Sequence, residues 1–191
     1  MDLLNFVKVY NVIPKKVCVN LLKKFKKVEY KPHQWQSGGS VIGSRDKEEL
    51  KVYPLIEEEQ KILVPFVTKA LSTYTKDVFT ENPILNLDEH TYTIVDVLSS
   101  FRLNKYDKKS NMAAHVDHIY TIFDGNEKGV PILSIVGLFN ENYQGGEFKI
   151  LNKNVKLKTG DVIIFPSNFM YPHGVNTITK GVRYSFVAWA Y

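Results

Sequence analysis

The segment NMAAHVDHIY, residues 111–120, decides how the rest of the chain is read. It sets His115, Asp117 and His118 together, just past a run of strand-like residues. Such polar groups are costly to bury unless something pairs with them, so they form either a hydrated loop or a seat for an ion. In a strand, residues two apart share a face, so His115 and Asp117 converge on one point if the strand runs through them. His118 has the opposite parity. A third ligand must come from elsewhere, and His33, His90 and His173 remain. His33 lies in a glycine-rich stretch, His90 precedes a strand in NLDEHTY, and His173 opens HGVNTI, where a strand re-enters after FPSNFMYP.

Outward from this segment the texture is that of short strands. TYTIVDVLSSFRLNKY, PILSIVGLFN, GEFKI, NVKLK, DVIIFP, HGVNTI and VRYSFVAWA are rich in β-branched and aromatic residues. The turn signals NYQGG, KTGD and TKG separate several of them. With the strand around His115 they make about eight closely spaced strands, the signature of a sandwich, barrel or jelly roll.

The first half reads differently. A strand is expected over 6–12, then a helix in PKKVCVNLLKKFKKV, where Val17, Cys18, Leu21, Leu22, Phe25 and Val28 recur at helical spacing after Pro14. The lysines fall on its other face, as on a solvated amphipathic helix, and Cys18 reads as core. EYKPHQWQSGGSVIGSRDKEEL reads as a loop. A second helix is expected over 57–75, with Pro65 near its first turns or kinking it. Helices first and strands later argue an α+β fold. With no linker visible, one domain over 1–191 is expected, about 1–90 supporting and about 91–191 forming the sheet core.

At 44% hydrophobic and 24% charged residues the composition is globular. The N-terminus lacks the basic region of a signal peptide, and no apolar run reaches membrane-spanning length. The single Cys18 excludes an internal disulfide and fits a reducing cytoplasm. A net charge of +5 admits an acidic partner.

Two histidines and a carboxylate on one side of an ion are the facial triad of non-haem iron(II) oxygenases. A structural zinc site closes its shell, usually with Cys, and no second Cys exists here. Downstream, HGVNTITKGVRYS reads as two antiparallel strands turning near 179–181, which puts Arg183 opposite about Thr177. That is four residues from His173, ~13 Å of strand at ~3.4 Å per residue. A five-carbon diacid chelating the ion at one end and meeting an extended arginine at the other spans such a gap. Arg183 and Ser185 share a face, so guanidinium and hydroxyl can hold one carboxylate.

In RLNKY, HVDH, LSIVGLFNENYQGGEF, KTGDVIIFP and YPHGVNTITKGVRYSFVAW, taken in order, the chain resembles the iron(II)- and 2-oxoglutarate-dependent oxygenases of the prolyl 4-hydroxylase-like branch. The resemblance implies a double-stranded β-helix (jelly-roll) core and iron held by His115, Asp117 and His173. It implies 2-oxoglutarate as co-substrate, its distal carboxylate on Arg183, with Tyr106 bordering it. Dioxygen is consumed, succinate and carbon dioxide are released, and an unactivated C–H of the substrate is hydroxylated; ascorbate is an accessory candidate. Met112 stands where these enzymes often carry another tyrosine, and Arg183 where the collagen-type enzymes use lysine.

A peptide or protein substrate, proline first, is therefore expected, ahead of a free amino acid or small metabolite. Nucleic-acid demethylases of the superfamily carry a second arginine six residues after the co-substrate arginine, where this chain has Trp189. The competing class is a cupin-type binding protein or isomerase, since one fold hosts many functions. The loop around His33 and Trp35, and NYQGGEF, are candidates for a lid or for support around the metal.

Overall fold

The computed structural model describes residues 2–37, 40–44, 49–82, 85, 95–117 and 129–191. A 3-10 turn over Leu3–Phe6, capped by Asp2 accepting from the Leu4 N–H, leads into β1 (Lys8–Asn11) and α1 (Lys15–Phe25). Then come β2 (Lys31–Pro32), β3 (Trp35–Ser37), β4 (Ser40–Gly43), β5 (Lys51–Pro54) and α2 (Glu57–Glu81). The remaining strands are β6 (Arg102–Tyr106), β7 (Met112–His115), β8 (Leu133–Leu138), β9 (Tyr143–Gly145) and β10 (Phe148–Ile150). They are followed by β11 (Lys153–Val155), β12 (Asp161–Pro166), β13 (His173–Val175), β14 (Ile178–Gly181) and β15 (Arg183–Ala190).

Seven strands form a large antiparallel sheet in the order β1-β12-β8-β15-β6-β5-β2, and four form a smaller one, β11-β10-β13-β7. The inner faces of the two enclose one apolar cluster: Val136, Leu138, Ile163 and Phe165 from the large sheet meet Met112, Phe148, Ile150 and Val175 from the small one. The outer face of the large sheet is covered by the helices. There Leu103, Ile135, Ile164, Phe186 and Ala188 pack against Cys18, Leu21 and Phe25 of α1 and Leu63, Val67 and Tyr74 of α2. Strands buried on both faces need continuous apolar runs, and LSIVGL in β8 is buried throughout. The α+β fold expected from helices preceding strands is present, and of the architectures the strand spacing allowed, the strands form two packed sheets.

The lysine-rich helix buries Cys18, Leu21 and Phe25, with the Phe25 ring edge-on to Phe139 at 5.2 Å, and turns its lysines to solvent. Burial pushes the Cys18 thiol up to about 11, which leaves it an inert core group.

Several expectations need correction. The helix expected to end at Thr75 runs to Glu81, because Tyr74, Thr75 and Val78 extend its buried stripe. It ends at Asn82, whose side chain caps the Val78 carbonyl, just before Pro83. Pro65 lies inside this helix on its exposed side, away from the buried stripe. The stretch read as a loop contains the β3–β4 pair and leads into β5, a strand of the large sheet. A four-residue strand ending in proline offers little alternation to read.

The expected hairpin between His173 and Arg183 does not form. β13 pairs with β10 and β7 in the small sheet, β14 pairs with β9, and β15 crosses to the large sheet between β8 and β6. Arg183 stands opposite Tyr106, not Thr177. β13 and β15 enter different sheets of the sandwich, each burying its inner face against the other sheet, so adjacency in sequence does not become pairing here.

Candidate active site

His115 is the last residue of β7 and His173 the first of β13, and the two are direct cross-strand partners. Their rings stand 4.4 Å apart between centroids. Gly174 permits this approach, since a Cβ there would lie 2.6 Å from the Met112 carbonyl oxygen. Asp117 lies beyond the end of β7, so the pleat does not aim it. Instead the large sheet holds it: Ser134 Oγ of β8 and Trp189 Nε1 of β15 both donate to Asp117 Oδ2, the latter at 2.9 Å. Asp117 Oδ1 then faces His115 Nε2 at 3.7 Å and His173 Nε2 at 3.8 Å. One donor atom from each residue lies within 4.8 Å of the others.

The tautomers follow from hydrogen bonding. Nδ1 of His115 faces the Ala113 carbonyl at 2.9 Å and Nδ1 of His173 faces the Tyr171 carbonyl at 3.0 Å. A carbonyl only accepts, so each Nδ1 carries the proton and each Nε2 keeps a lone pair for a metal. Burial, then the neighbouring His173, lower the His115 imidazole to about 4, so it is neutral at pH 7. Burial alone would raise Asp117. His173, the Ser134 hydroxyl, His115 and Trp189 outweigh it and hold the carboxyl below its ordinary value. Two imidazole nitrogens and a carboxylate could hold a divalent metal on one side and leave its other positions open.

Beside this cluster runs a polar row on the inner face of the large sheet. Arg183, Ser185 and Val187 of β15 stand opposite Tyr106, Asn104 and Arg102 of β6. Arg183 is only 1% exposed. Its Nη1 donates to Ser185 Oγ at 2.7 Å and its guanidinium lies 5.0 Å from the Tyr106 ring centroid. Its Nε and Nη2 are buried without a hydrogen-bond partner, and among the described residues no carboxylate pairs with it. A buried cation with unmet donors is strongly destabilising, which suits a pocket built to receive an anion. Burial raises the Tyr106 hydroxyl, against the opposing pull of Arg183 and Arg102, so it stays protonated at neutral pH.

The sequence profile of the 2OG-Fe(II) oxygenase superfamily matches residues 101–191. A PKHD-type hydroxylase from Aliarcobacter butzleri (strain RM4018) is 31% identical over 183 residues, covering 90% of this chain and 70% of that protein. The chain belongs to the 2OG-Fe(II) oxygenase superfamily. It is a 2-oxoglutarate-dependent dioxygenase of the hydroxylase type, and iron(II), 2-oxoglutarate and dioxygen come with the family. A prolyl hydroxylase from Trichoplax adhaerens, solved with a hypoxia-inducible-factor peptide, superposes with a TM-score of 0.65 at 13% identity over 98% of this chain and 84% of that one. A Pseudomonas putida prolyl-4-hydroxylase gives 0.63 at 14% over 97% and 91%. At such identities the likeness speaks for the fold, the jelly-roll core expected from the motifs.

The fold brings the candidate residues together: His115, Asp117 and His173 lie in one cluster, and Arg183, Ser185 and Tyr106 in the adjoining row. His33 is not part of the cluster. It packs edge-on to Trp35 at 5.0 Å, Trp35 donates to Glu49 at 2.6 Å, and the Trp35 ring meets His115 edge-on at 5.2 Å. The loop suspected of a supporting role thus backs a proposed ligand. NYQGGEF forms a wall by the arginine: a Cβ on Gly146 would meet Ile178 Cδ1 at 2.2 Å and Arg183 Cδ at 3.4 Å. His90 and His118 fall outside the described residues. Sequence reasoning missed Ser134 and Arg102, and considered Trp189 only as a missing arginine. Parity on β6, β8 and β15 held the signal, readable only once the strand partners are known.

Proposed function

We propose that His115 Nε2, His173 Nε2 and the Asp117 carboxylate hold the iron(II) of this dioxygenase, and that Arg183 receives the distal carboxylate of 2-oxoglutarate, with Ser185 and Tyr106 beside it. Arg183 carries this reading: a buried guanidinium with two unmet donors, in the polar row next to two open imidazole nitrogens. When bound, the metal supplies the oxidising chemistry, coupling conversion of 2-oxoglutarate to succinate and carbon dioxide to hydroxylation of the substrate.

The chain's own groups position and shield. Ser134 and Trp189 fix one oxygen of Asp117 and so aim the other at the imidazoles. The Ala113 and Tyr171 carbonyls fix the tautomers. Met112, Val136, Phe148, Val175 and Val187 wall the cavity and exclude water from the reacting centre. A planar guanidinium anchored by Ser185 accepts a carboxylate through paired donors, which orients the co-substrate along the row.

For the substrate we propose a peptide or protein side chain, prolyl first, with a free amino acid or other small molecule next. The fold shared with prolyl hydroxylases supports this order. Trp189, engaged with Asp117 where demethylases of nucleic acids have an arginine, speaks against nucleic acid. Ascorbate is proposed as an accessory reductant, residues 1–191 as one catalytic domain, and the cytoplasm as the compartment. Among the described residues no helix is long and apolar enough to cross a membrane.

The test is succinate release from 2-oxoglutarate with and without iron(II), chelator and ascorbate. Asp117→Ala and His173→Ala are expected to lose more than the ~10–100-fold that an outer support of a metal costs. Unchanged turnover in either variant would overturn the ligand assignment.

A further inference from the structure

We infer that Arg102 is a second anion-holding residue of the active site and that it selects a substrate bearing a carboxylate. This rests on the oxygenase reading above and adds the chemistry of the substrate group that approaches the metal.

Arg102 opens β6 and faces the same cavity as Asn104 and Tyr106, in company with His115, Asp117, His173 and Trp189. Its register partner is Val187, whereas Arg183 pairs with Tyr106, so the two arginines stand at opposite ends of one polar row. Four residues of strand separate Arg102 from Tyr106, ~13 Å. In the oxygenase reading the far end of a co-substrate held at Arg183 goes to the metal, which leaves the donors of Arg102 for another molecule.

The packing of Arg102 leaves its terminal donors uncommitted. Its Nε donates to Asn104 Oδ1 at 3.2 Å, and its guanidinium carbon lies 5.7 Å from the Trp189 ring centroid. Among the described residues no carboxylate lies within ion-pair distance of it. Asp117, the acid that shares its cavity, is already engaged: Oδ2 accepts from Ser134 and Trp189, and Oδ1 faces the two imidazoles. A counter-ion role for Asp117 would place the guanidinium on one of those oxygens, and it is not there. Arg102 is half-buried, and that burial lowers its pKa, with Tyr106 and Asp117 opposing.

A half-buried cation without a counter-ion beside a candidate metal cluster is stabilised when an anion arrives. Asn104 fixes the Nε side of the fork and Trp189 supports its plane, which presents the remaining N–H donors as a pair to a planar two-oxygen acceptor. The cavity itself measures about 40 Å³, enough for a small group such as a carboxylate. That carboxylate can belong to a free amino acid or small carboxylic acid, or to the terminus or an acidic side chain of a peptide.

The experiment offers the wild-type enzyme, with iron(II) and 2-oxoglutarate, a panel of free amino acids and short aliphatic acids. Each is matched by its neutral primary amide, and acidic peptides are matched by their amidated forms. One readout is succinate release above the substrate-free rate. A second, without turnover, is broadening of probe proton resonances when manganese(II) replaces iron. The expected result is that at least one acid binds and stimulates, with its amide weaker by about 10- to 100-fold, the range of a charge-assisted pair. Arg102→Gln should erase that acid-over-amide ratio through KM, and Arg102→Lys should restore part of it. Thermal melts of both variants check that they fold. Stimulation by small acids or by peptides alone identifies the source of the carboxylate.

Acids and amides bound equally, no panel member bound, or an Arg102→Gln variant that loses affinity for 2-oxoglutarate while keeping the acid preference would each overturn the inference. A wild type that binds neither iron(II) nor 2-oxoglutarate overturns the oxygenase reading beneath it as well, which separates the two failures.

Discussion

The small sheet supplies both imidazoles of the site from β7 and β13, strands of four and three residues whose sheet is backed by solvent on much of its outer side. The large sheet supplies Arg183, Ser185, Tyr106, Arg102 and the two groups that hold Asp117, and its central strands β8 and β12 are buried on both faces. Metal-facing groups thus sit on a layer with a core on one face only, and anion-facing groups on a layer locked by two cores. Asp117 joins them, carried just beyond β7 but aimed by β8 and β15. Local opening follows the layer with fewer buried contacts. Metal affinity should accordingly be the property easiest to damage from a distance.

Two glycine substitutions put the largest strain on that comparison. Gly137→Ala would drive a Cβ to 2.0 Å from the Phe186 ring in the large sheet, and Gly174→Ala to 2.6 Å from the Met112 carbonyl oxygen in the small one. Each should lower unfolding stability by about 1–3 kcal/mol, the usual range for overpacking. Only Gly174→Ala should also weaken iron affinity in the protein that remains folded, because it pushes β13 from β7. Calorimetric titration of both variants checks this, and equal loss of iron affinity would break the division between sheets.

Arg183→Gln comes next. Removing a buried charge from its partner costs about 2–5 kcal/mol, so 2-oxoglutarate affinity should fall at least ~30-fold. Iron affinity measured without co-substrate should move far less, and a parallel fall would join what the comparison separates.

A pH titration of the iron-free protein addresses the small sheet alone. His115 falls from 6.5 to about 4 on folding, chiefly through burial, so below 6.5 the unfolded chain binds more protons at this residue than the folded one. Its contribution is fully present above 6.5 and is lost as the pH drops through about 4, a change of roughly 3 kcal/mol. Denaturant melts across this window should show a stability decline that His115→Asn reduces.

The smallest expected effect tests the strap between the layers. Trp189→Phe keeps the ring bulk but removes the hydrogen bond to Asp117 Oδ2, leaving Ser134 alone to aim the carboxylate. Iron affinity should weaken by about 10-fold, as for other outer supports of metal ligands. An unchanged affinity would make the small sheet self-sufficient.

The fold class was legible because short β-branched runs with turn signals between them are a local property. So were His115 and Asp117, by their two-residue spacing, although β7 ends before Asp117 and the large sheet completes the aim. The proposed hairpin failed at HGVNTITKGVRYS because its two ends belong to different sheets. β5 and the Trp35 pair were unread because short strands at an edge leave little pattern. Ser134 and Arg102 carry no motif of their own.

Alternation along each strand settled which side chains share a face, and a single cysteine settled that a metal site here has to be built from histidines and carboxylates. Which strands lie side by side was left to the folded chain, because partners in a sandwich are chosen by burying two sheet faces at once. That long-range packing is what put His173 opposite His115, Arg183 opposite Tyr106, and a second arginine in the same cavity.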